Sequence, residues 1–551
     1  MASALSQPIR TASQQQVRYP VPVGGLNFRA SLLNGAPTDA IVLDNFIARP
    51  FGLEIRRGWR YWIPEANRFP NEVKTIIPFV GKASANSRLF CSTSISAGLV
   101  YNITTQNAPP VLSLTPSTTP VSPGEWYHTM YSTPGGNFLC MVCAGAGYYV
   151  YSSAGSWVEY VTGSGAGKIE FPAGDTTTTK QFTFCWVWKN RLWFLKDDSS
   201  TAYYLPVGSI SGKVAPFDLG PQMIHGGALN FATSWTYDSG KGMDDGLIFA
   251  SNEGDVMVYE GTDPSSAADF SLKGTWYVGR FPVGRRCFTA QGGDVLILTE
   301  YGLLKMSDLV SGRIAQAGLG GGDDPLYKLN PRLARLITRA VSEYYWFLLP
   351  YPTEELLIVG APFVNQVSGL RQSFVMNAIM NSWSTTTNLD MLCGELYFGQ
   401  LICGTRTGEV IQPFYGYADK VSADGLDPGS SVIARLQTSY QGFGDDLMNK
   451  RALRIKLYGM TDGTPTVAVK LIPEYNVNDT VSVSGPVTDP LGAWDTGLWD
   501  QALWAGTQIP LRRWLGVSGY GKRLSMLMAI RSQGYLLLSD YETLFETGNN
   551  L

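Results

Sequence analysis

Gly246–Gly261 reads GLIFASNEGDVMVYEG: an apolar run, a polar turn carrying glycine, then a second apolar run. The pattern returns six more times. It recurs in Arg88–Thr104 (RLFCSTSISAGLVYNIT), Asn137–Trp157, Asn190–Val207, Asp294–Leu309, Tyr344–Pro362 and Glu395–Phe414. From first to last, the seven starts lie 49, 53, 56, 48, 50 and 51 residues apart. A hairpin cannot bury its apolar face alone. Units of ~40–50 residues, each a small antiparallel sheet, bury that face by stacking radially as propeller blades. The expectation is an all-β chain built on a β-propeller of about seven blades.

Outward from the repeats, three divisions are expected. Residues 1–70 read as a polar, turn-rich arm (1–40) that is ordered only by docking, then docking strands around the Pro50–Gly52 turn that end in Trp59, Tyr61 and Trp62. Residues 71–420 hold the propeller. One helical insertion is expected near 324–341, where Asn330 and Pro331 give a start signal and Leu333, Leu336 and Ile337 share a face. After the linker Ser422–Ser431, alternating runs such as Thr466–Lys470 predict a C-terminal antiparallel sandwich over 421–551.

Composition narrows the function. The 551 residues are 44% apolar, 12% aromatic and only 16% charged, against ~25% charged in an average protein. That suits a turn-rich β protein with large subunit contacts. A net charge of −3 gives no global pull toward nucleic acid or anionic membrane. Seven cysteines, an odd number, sit mostly in apolar runs and read as reduced, buried thiols. The first twenty residues carry no apolar core, and no apolar run reaches the ~18–20 residues of a membrane span. Folding in a reducing cytoplasm is therefore expected.

Each catalytic or binding pattern has a weaker claim than its structural counterpart. Cys140-Met-Val-Cys143 has redox spacing but lies in an apolar strand. His128 and His225 are the only histidines, and neither sits in a metal or nucleophile motif. Gly163–Lys168 resembles a phosphate loop but has three residues between its outer glycines and Ile169 where Ser or Thr is needed. Gly318–Gly322 reads as a hinge. Asp238, Asp244 and Asp245 could hold calcium, yet turn capping is the simpler reading. Trp494, Trp499 and Trp504 could stack on sugars but suit an interface better. Arg56-Arg57, Arg285-Arg286 and Arg512-Arg513 are isolated pairs, not a nucleic-acid stripe. No residue is assigned to catalysis, a cofactor or a metal.

Several phrases carry a resemblance. Pro20–Trp59 (PVPVGGLNFRASLLNGAPTDAIVLDNFIARPFGLEIRRGW), Asn190–Gly212, Leu247–Pro264, Gly279–Ser307 and Ala434–Gly459 resemble the tail nozzle proteins of short-tailed bacteriophages, also called tail tubular protein B. The resemblance implies a structural virion protein assembled in the host cytoplasm. It implies a homo-hexameric ring below the head–tail adaptor, with fibres or spikes at its side. Duplex genomic DNA would pass through its lumen without sequence specificity. It implies no catalysis, no cofactor and no stable membrane insertion. Gate loops are expected in the glycine-rich segments Thr162–Gly167 and Ala317–Asp324. The competing expectation is a propeller lectin or glycosidase acting on the host surface. Its S-x-D-x-G-x-T-W boxes are absent from the sequence, as is the GH…WD signature of an intracellular scaffold propeller.

Overall fold

A computed structural model describes residues 14–32, 35–238, 243–312, 324–364, 371–444, 446–475, 479–484 and 508–548. Strand outweighs helix by 52% to 7%, so the chain is all-β.

The seven repeats fall in seven different sheets, six of them wholly antiparallel and the sixth part of a larger mixed sheet. Sheet 1 holds Val73–Phe79, Arg88–Thr93, Val100–Asn102 and Val111–Leu114, and sheet 2 holds Tyr127–Thr133, Gly136–Cys143, Gly147–Ser152 and Trp157–Glu159. Sheet 3 begins at Phe182–Trp188 and sheet 4 at Leu229–Asp238, each with four strands. Sheet 5 has three strands, Phe288–Gln291, Asp294–Thr299 and Gly302–Lys305. Sheet 6 begins at Phe347–Tyr351. Sheet 7 takes Cys393–Tyr397, Gln400–Gly404 and Val410–Pro413 from late in the chain and its fourth strand, Trp59–Tyr61, from the beginning.

Turn chemistry fixes these hairpins. Lys189 and Asn190 link two strands of sheet 3 with φ values of 45° and 56°. That two-residue, doubly left-handed turn matches the strand twist. In the opening motif Gly254 has φ of 103°, and a Cβ there would lie 2.4 Å from the Gly279 oxygen. Only glycine fits.

The sheets form a closed circuit. Tyr127–Thr133 of sheet 2 runs against Phe182–Trp188 of sheet 3, and Phe347–Tyr351 of sheet 6 touches Cys393–Tyr397 of sheet 7. The last sheet returns to the first, with Cys393, Ile402 and Val410 sharing a core with Val73, Ile76 and Leu89. The borrowed strand Trp59–Tyr61 completes the seventh sheet by pairing with Val410–Pro413. This arrangement fits a β-propeller of seven blades.

Of the remaining strands, most either extend sheet 6 into a ten-stranded sheet or form a six-stranded sheet, and they are not drawn from 421–551 alone. Gln14–Pro20 pairs along Leu536–Thr547, Gly52–Ile55 pairs with the same strand, and Asp39–Asp44 pairs with Ser430–Thr438. The expected arm is thus, where described, an edge strand docked on its own chain. An open strand edge needs a backbone partner, and a distant segment supplies it. The second unit is also not separate from the propeller. Asp44 bridges to Thr385 of sheet 6. Arg56, fully buried, donates to both carboxylate oxygens of Asp419 at 2.7 Å and to Asn45 and Thr387.

The helical insertion is a 3₁₀ turn, Pro325–Leu329, followed by the α-helix Asn330–Arg339. Leu333 and Ile337 are fully buried, while Leu336 packs at the margin. A second short helix, Met306–Val310, follows sheet 5 and was not signalled by the sequence.

Candidate functional site

The first strands of the sheets surround the axis, and polar side chains meet there. Arg286 precedes sheet 5 yet donates to the Lys74 carbonyl (2.9 Å) and Thr75 hydroxyl (2.8 Å) of sheet 1, and to the Trp126 carbonyl (3.5 Å) at the entrance to sheet 2. A side chain from the fifth sheet reaches the first and second only across the centre. Its guanidinium also lies 5.7 Å from the ring centres of Tyr127 and Tyr344. Such cation–π contacts add to its hold.

His128 of sheet 2 and Glu395 of sheet 7 complete the group, with Nε2 to Oε1 at 3.9 Å. Burial, reinforced by the positive charge of Arg286, lowers His128 to about 3. It is therefore neutral near pH 7, and the contact with Glu395 is not an ion pair. Glu395 keeps 41% of its side chain accessible, so water reaches it. The protein mass around the axis still desolvates its carboxyl and raises it to about 7, against the opposing pull of Arg286. Burial also pushes the Tyr127 hydroxyl up to about 12, and that hydroxyl donates to the Gly284 carbonyl at 2.7 Å.

Arg286 ties the entrance of sheet 5 to sheets 1 and 2, and Glu395 of sheet 7 lies beside the group. The donors of Arg286 described above all point at protein acceptors, which suits a structural clamp. The neutral imidazole and half-titrated carboxyl could share a proton only after closing the 3.9 Å gap, since that distance exceeds a hydrogen bond. The sequence marked Arg286 and His128 separately and gave no sign that they meet. The hydrogen-bond acceptors of Arg286 lie 160 to 212 residues upstream, and no local pattern encodes that distance.

The other marked residues fall elsewhere. Cys140 and Cys143 share a strand but enter different cores, so they form no dithiol pair. All seven cysteines are free and buried. Burial lifts the Cys140 thiol to about 12, which leaves it unreactive. His225 sits 45% exposed, with Nδ1 2.7 Å from buried Asp255 and its ring against Tyr277. Asp245 is engaged by Lys189 (2.7 Å) and Thr236 (3.1 Å). The side chains of Asp238 and Asp244 lie outside the described residues. So do Gly318–Gly322, the three tryptophans 494, 499 and 504, and all of the Ala317–Asp324 segment except Asp324. Asp324 accepts from Leu326 N at the start of the 3₁₀ turn and pairs with Lys305.

Thr162–Gly167 forms an exposed turn closed by Gly163 N to Ile169 O and by Ile169 N to Val161 O. Lys168 is not followed by a helix, so the phosphate-loop reading fails on geometry as well as spacing. Arg57 pairs with Glu354 at 3.0 Å, while Arg512 and Arg513 lie exposed on the strand Ile509–Gly521. Among the described residues no helix is long and apolar enough to cross a membrane.

No protein-family model matches the chain, and no curated protein matches it. Among solved structures, the chain is similar to BBS1N in complex with ARL6DN, at 12% identity over 65% of this chain and 98% of that one, with a TM-score of 0.36. It is similar to the computationally designed protein Ika8 at 8% identity over 64% and 99%, with a TM-score of 0.31. It is also similar to PorZ of Porphyromonas gingivalis, a bacterial surface component of the type-IX secretion system, at 11% over 72% and 44%, with a TM-score of 0.35. At these distances the likenesses assign no function.

Proposed function

We propose that this chain is a structural virion protein, a subunit of the distal nozzle ring of a short bacteriophage tail that retains and then releases the genome. The reading rests on the resemblance of Pro20–Trp59 and the later phrases to tail nozzle proteins. One structural observation supports it: Arg286 crosses the propeller axis and bonds to the opposite wall. A passage for duplex DNA then has to lie between copies rather than through one. A closed cyclic assembly supplies such a passage. Six copies at −3 carry −18 in total, which disfavours a tight grip on a polyanion and favours sliding.

In this reading the head–tail adaptor sits above the ring, fibres or spikes attach to its side, and the exposed Thr162–Gly167 turn is a gate candidate. Electron microscopy and light scattering of the purified protein test it. Rings, or oligomers that become rings on mixing with adaptor, are the expected result. A solitary molecule that binds or cleaves a glycan would overturn it in favour of the surface-glycan reading. Removing Thr162–Gly167 from a virion is expected to leak packaged DNA, and full retention would acquit that turn.

A further inference from the structure

Two surfaces of this chain are complementary to each other but lie on different parts of it. The first is the loop Ser422–Gly429, SADGLDPG. Leu426 stands at its tip with 84% of its surface exposed, between the exposed Asp424 and Asp427. The loop holds this shape by itself. The Ser422 hydroxyl donates to Asp424 Oδ1 at 2.5 Å, Leu426 N donates to the same oxygen at 3.0 Å, and Asp427 N donates to Ser422 Oγ at 2.9 Å. Gly429 N donates to Asp427 Oδ1 at 2.9 Å. One oxygen of each aspartate thus braces the loop, and both residues are exposed. A preorganised loop loses little freedom on docking.

The second surface is a cavity of about 320 Å³ on the helix Asn330–Arg339. Phe28, Pro331 and Leu336 supply its apolar lining, and Arg332, Arg335 and Arg339 its rim. Arg332 is fixed over the rings of Phe28 (4.9 Å) and Phe374 (5.7 Å). Arg335 and Arg339 are exposed, and neither forms a salt bridge with a described residue. Three arginines at positions i, i+3 and i+7 lie along one helix face. In a chain of net −3 such a concentration is local.

We propose that the Leu426 loop of one copy docks in the arginine-rimmed cavity of the next, with Leu426 in the apolar floor and Asp424 and Asp427 against Arg335 and Arg339. The proposal rests on the ring reading and gives that ring its contact. An apolar knob flanked by acids matches an apolar hole flanked by bases in both shape and sign. Because knob and hole are different surfaces, the contact is head-to-tail, and repetition yields either a ring or a filament.

Sedimentation velocity on the full chain, with Leu426→Asp and with Arg335→Glu plus Arg339→Glu, tests the contact. All these positions are exposed, so the fold survives. Each variant alone is expected to assemble at least tenfold more weakly, while an equimolar mixture forms dimers through the one intact knob and hole. A second chain carrying Leu426→Cys and Leu336→Cys is expected to crosslink between copies on oxidation, against a low background because the native thiols are buried. If the unaltered chain forms rings, the variants do too and no crosslink appears, the contact is wrong and the ring reading stands. A monomeric chain that still crosslinks keeps the contact and loses the ring, and a monomer without crosslinks loses both. If Arg335→Glu with Arg339→Glu abolishes salt-dependent binding of duplex DNA but leaves assembly unchanged, the arginines serve DNA and the proposal falls.

Discussion

Between sheets 3 and 4 the chain stacks aromatic rings, whereas at the axis it gathers charged and polar groups. Trp193 has Trp186 at 5.6 Å, Tyr204 at 4.8 Å and Phe249 of the next sheet at 5.8 Å. Phe231 and Phe288 stack at 4.4 Å across sheets 4 and 5. Broad sheet faces meet in these wedges, and large rings fill them at high contact area. Near the axis the sheets converge and leave narrow, irregular space. There one forked cation donates to the Lys74 and Trp126 carbonyls and adds a third partner to the Thr75 hydroxyl. The wedge resists separation of neighbours, while the hub ties together sheets that are not neighbours.

The largest expected effect lies in the wedge. Trp193→Ala removes a fully buried ring and should cost about 3–5 kcal/mol in denaturant unfolding. A loss below 1 kcal/mol would mean that neighbouring sheets are held by something other than the rings.

The hub should respond less and more selectively. Arg286→Ala removes the donor to the Lys74 carbonyl and one of the partners of the Thr75 hydroxyl, which keeps Trp126 N and Gly124 O, and is expected to cost about 1–3 kcal/mol. Arg286→Lys should recover little of it, because an ammonium on a flexible stem cannot fork toward sheets 1 and 2 together. Full recovery by lysine would show that charge alone matters at the axis.

These two regions also differ in how legible they are in the sequence. Trp193, Tyr204 and Phe249 sit inside the repeating apolar runs, so their burial follows from the pattern that gives the sheets, whereas Trp186, Phe231 and Phe288 lie on the strands that precede those runs. The hub draws Thr75, His128, Arg286 and Glu395 from four sheets, and only the closed circuit brings them together. The seventh sheet is a similar case. Trp59–Tyr61 reads as a docking strand, but its partner Val410–Pro413 is specified by ring closure and not by neighbouring residues. The pairing of Gln14–Pro20 with Leu536–Thr547 spans nearly the whole chain and was likewise invisible to local periodicity.

Acidity sharpens the contrast, since the wedge has nothing to titrate near neutral pH. Glu395 is raised from 4.5 to about 7 by folding. The native state therefore holds more protons than the unfolded chain between these values, and stability falls as pH rises through them. Glu395→Gln should leave stability unchanged below pH 4.5 and raise it increasingly toward pH 7. His128 is lowered from 6.5 to about 3, so its contribution runs the other way, and stability falls as pH drops below 6.5. His128→Gln should flatten that acid limb. Thermal unfolding across pH 3–8 measures both, and parallel profiles for all three proteins would contradict the placement of these groups at the axis.

The smallest effect is expected at the surface. Replacing Gly163–Gly167 by a glycine–serine stretch of equal length, with Thr162 kept because its hydroxyl accepts from Thr179 N, should shift stability by less than about 0.5 kcal/mol, so in the proposed nozzle reading any effect on genome retention would come from gating rather than unfolding. A larger shift would place the turn among the structural contacts.

In the proposed nozzle reading, an axis blocked by side chains leaves the space between copies as the route for a duplex, and imaging the purified protein by electron microscopy tests this most directly. Closed rings of several copies around an open centre, each subunit showing a filled hub, are the expected picture. Single propellers that never associate, or subunits with an unobstructed hole along their own axis, would contradict it.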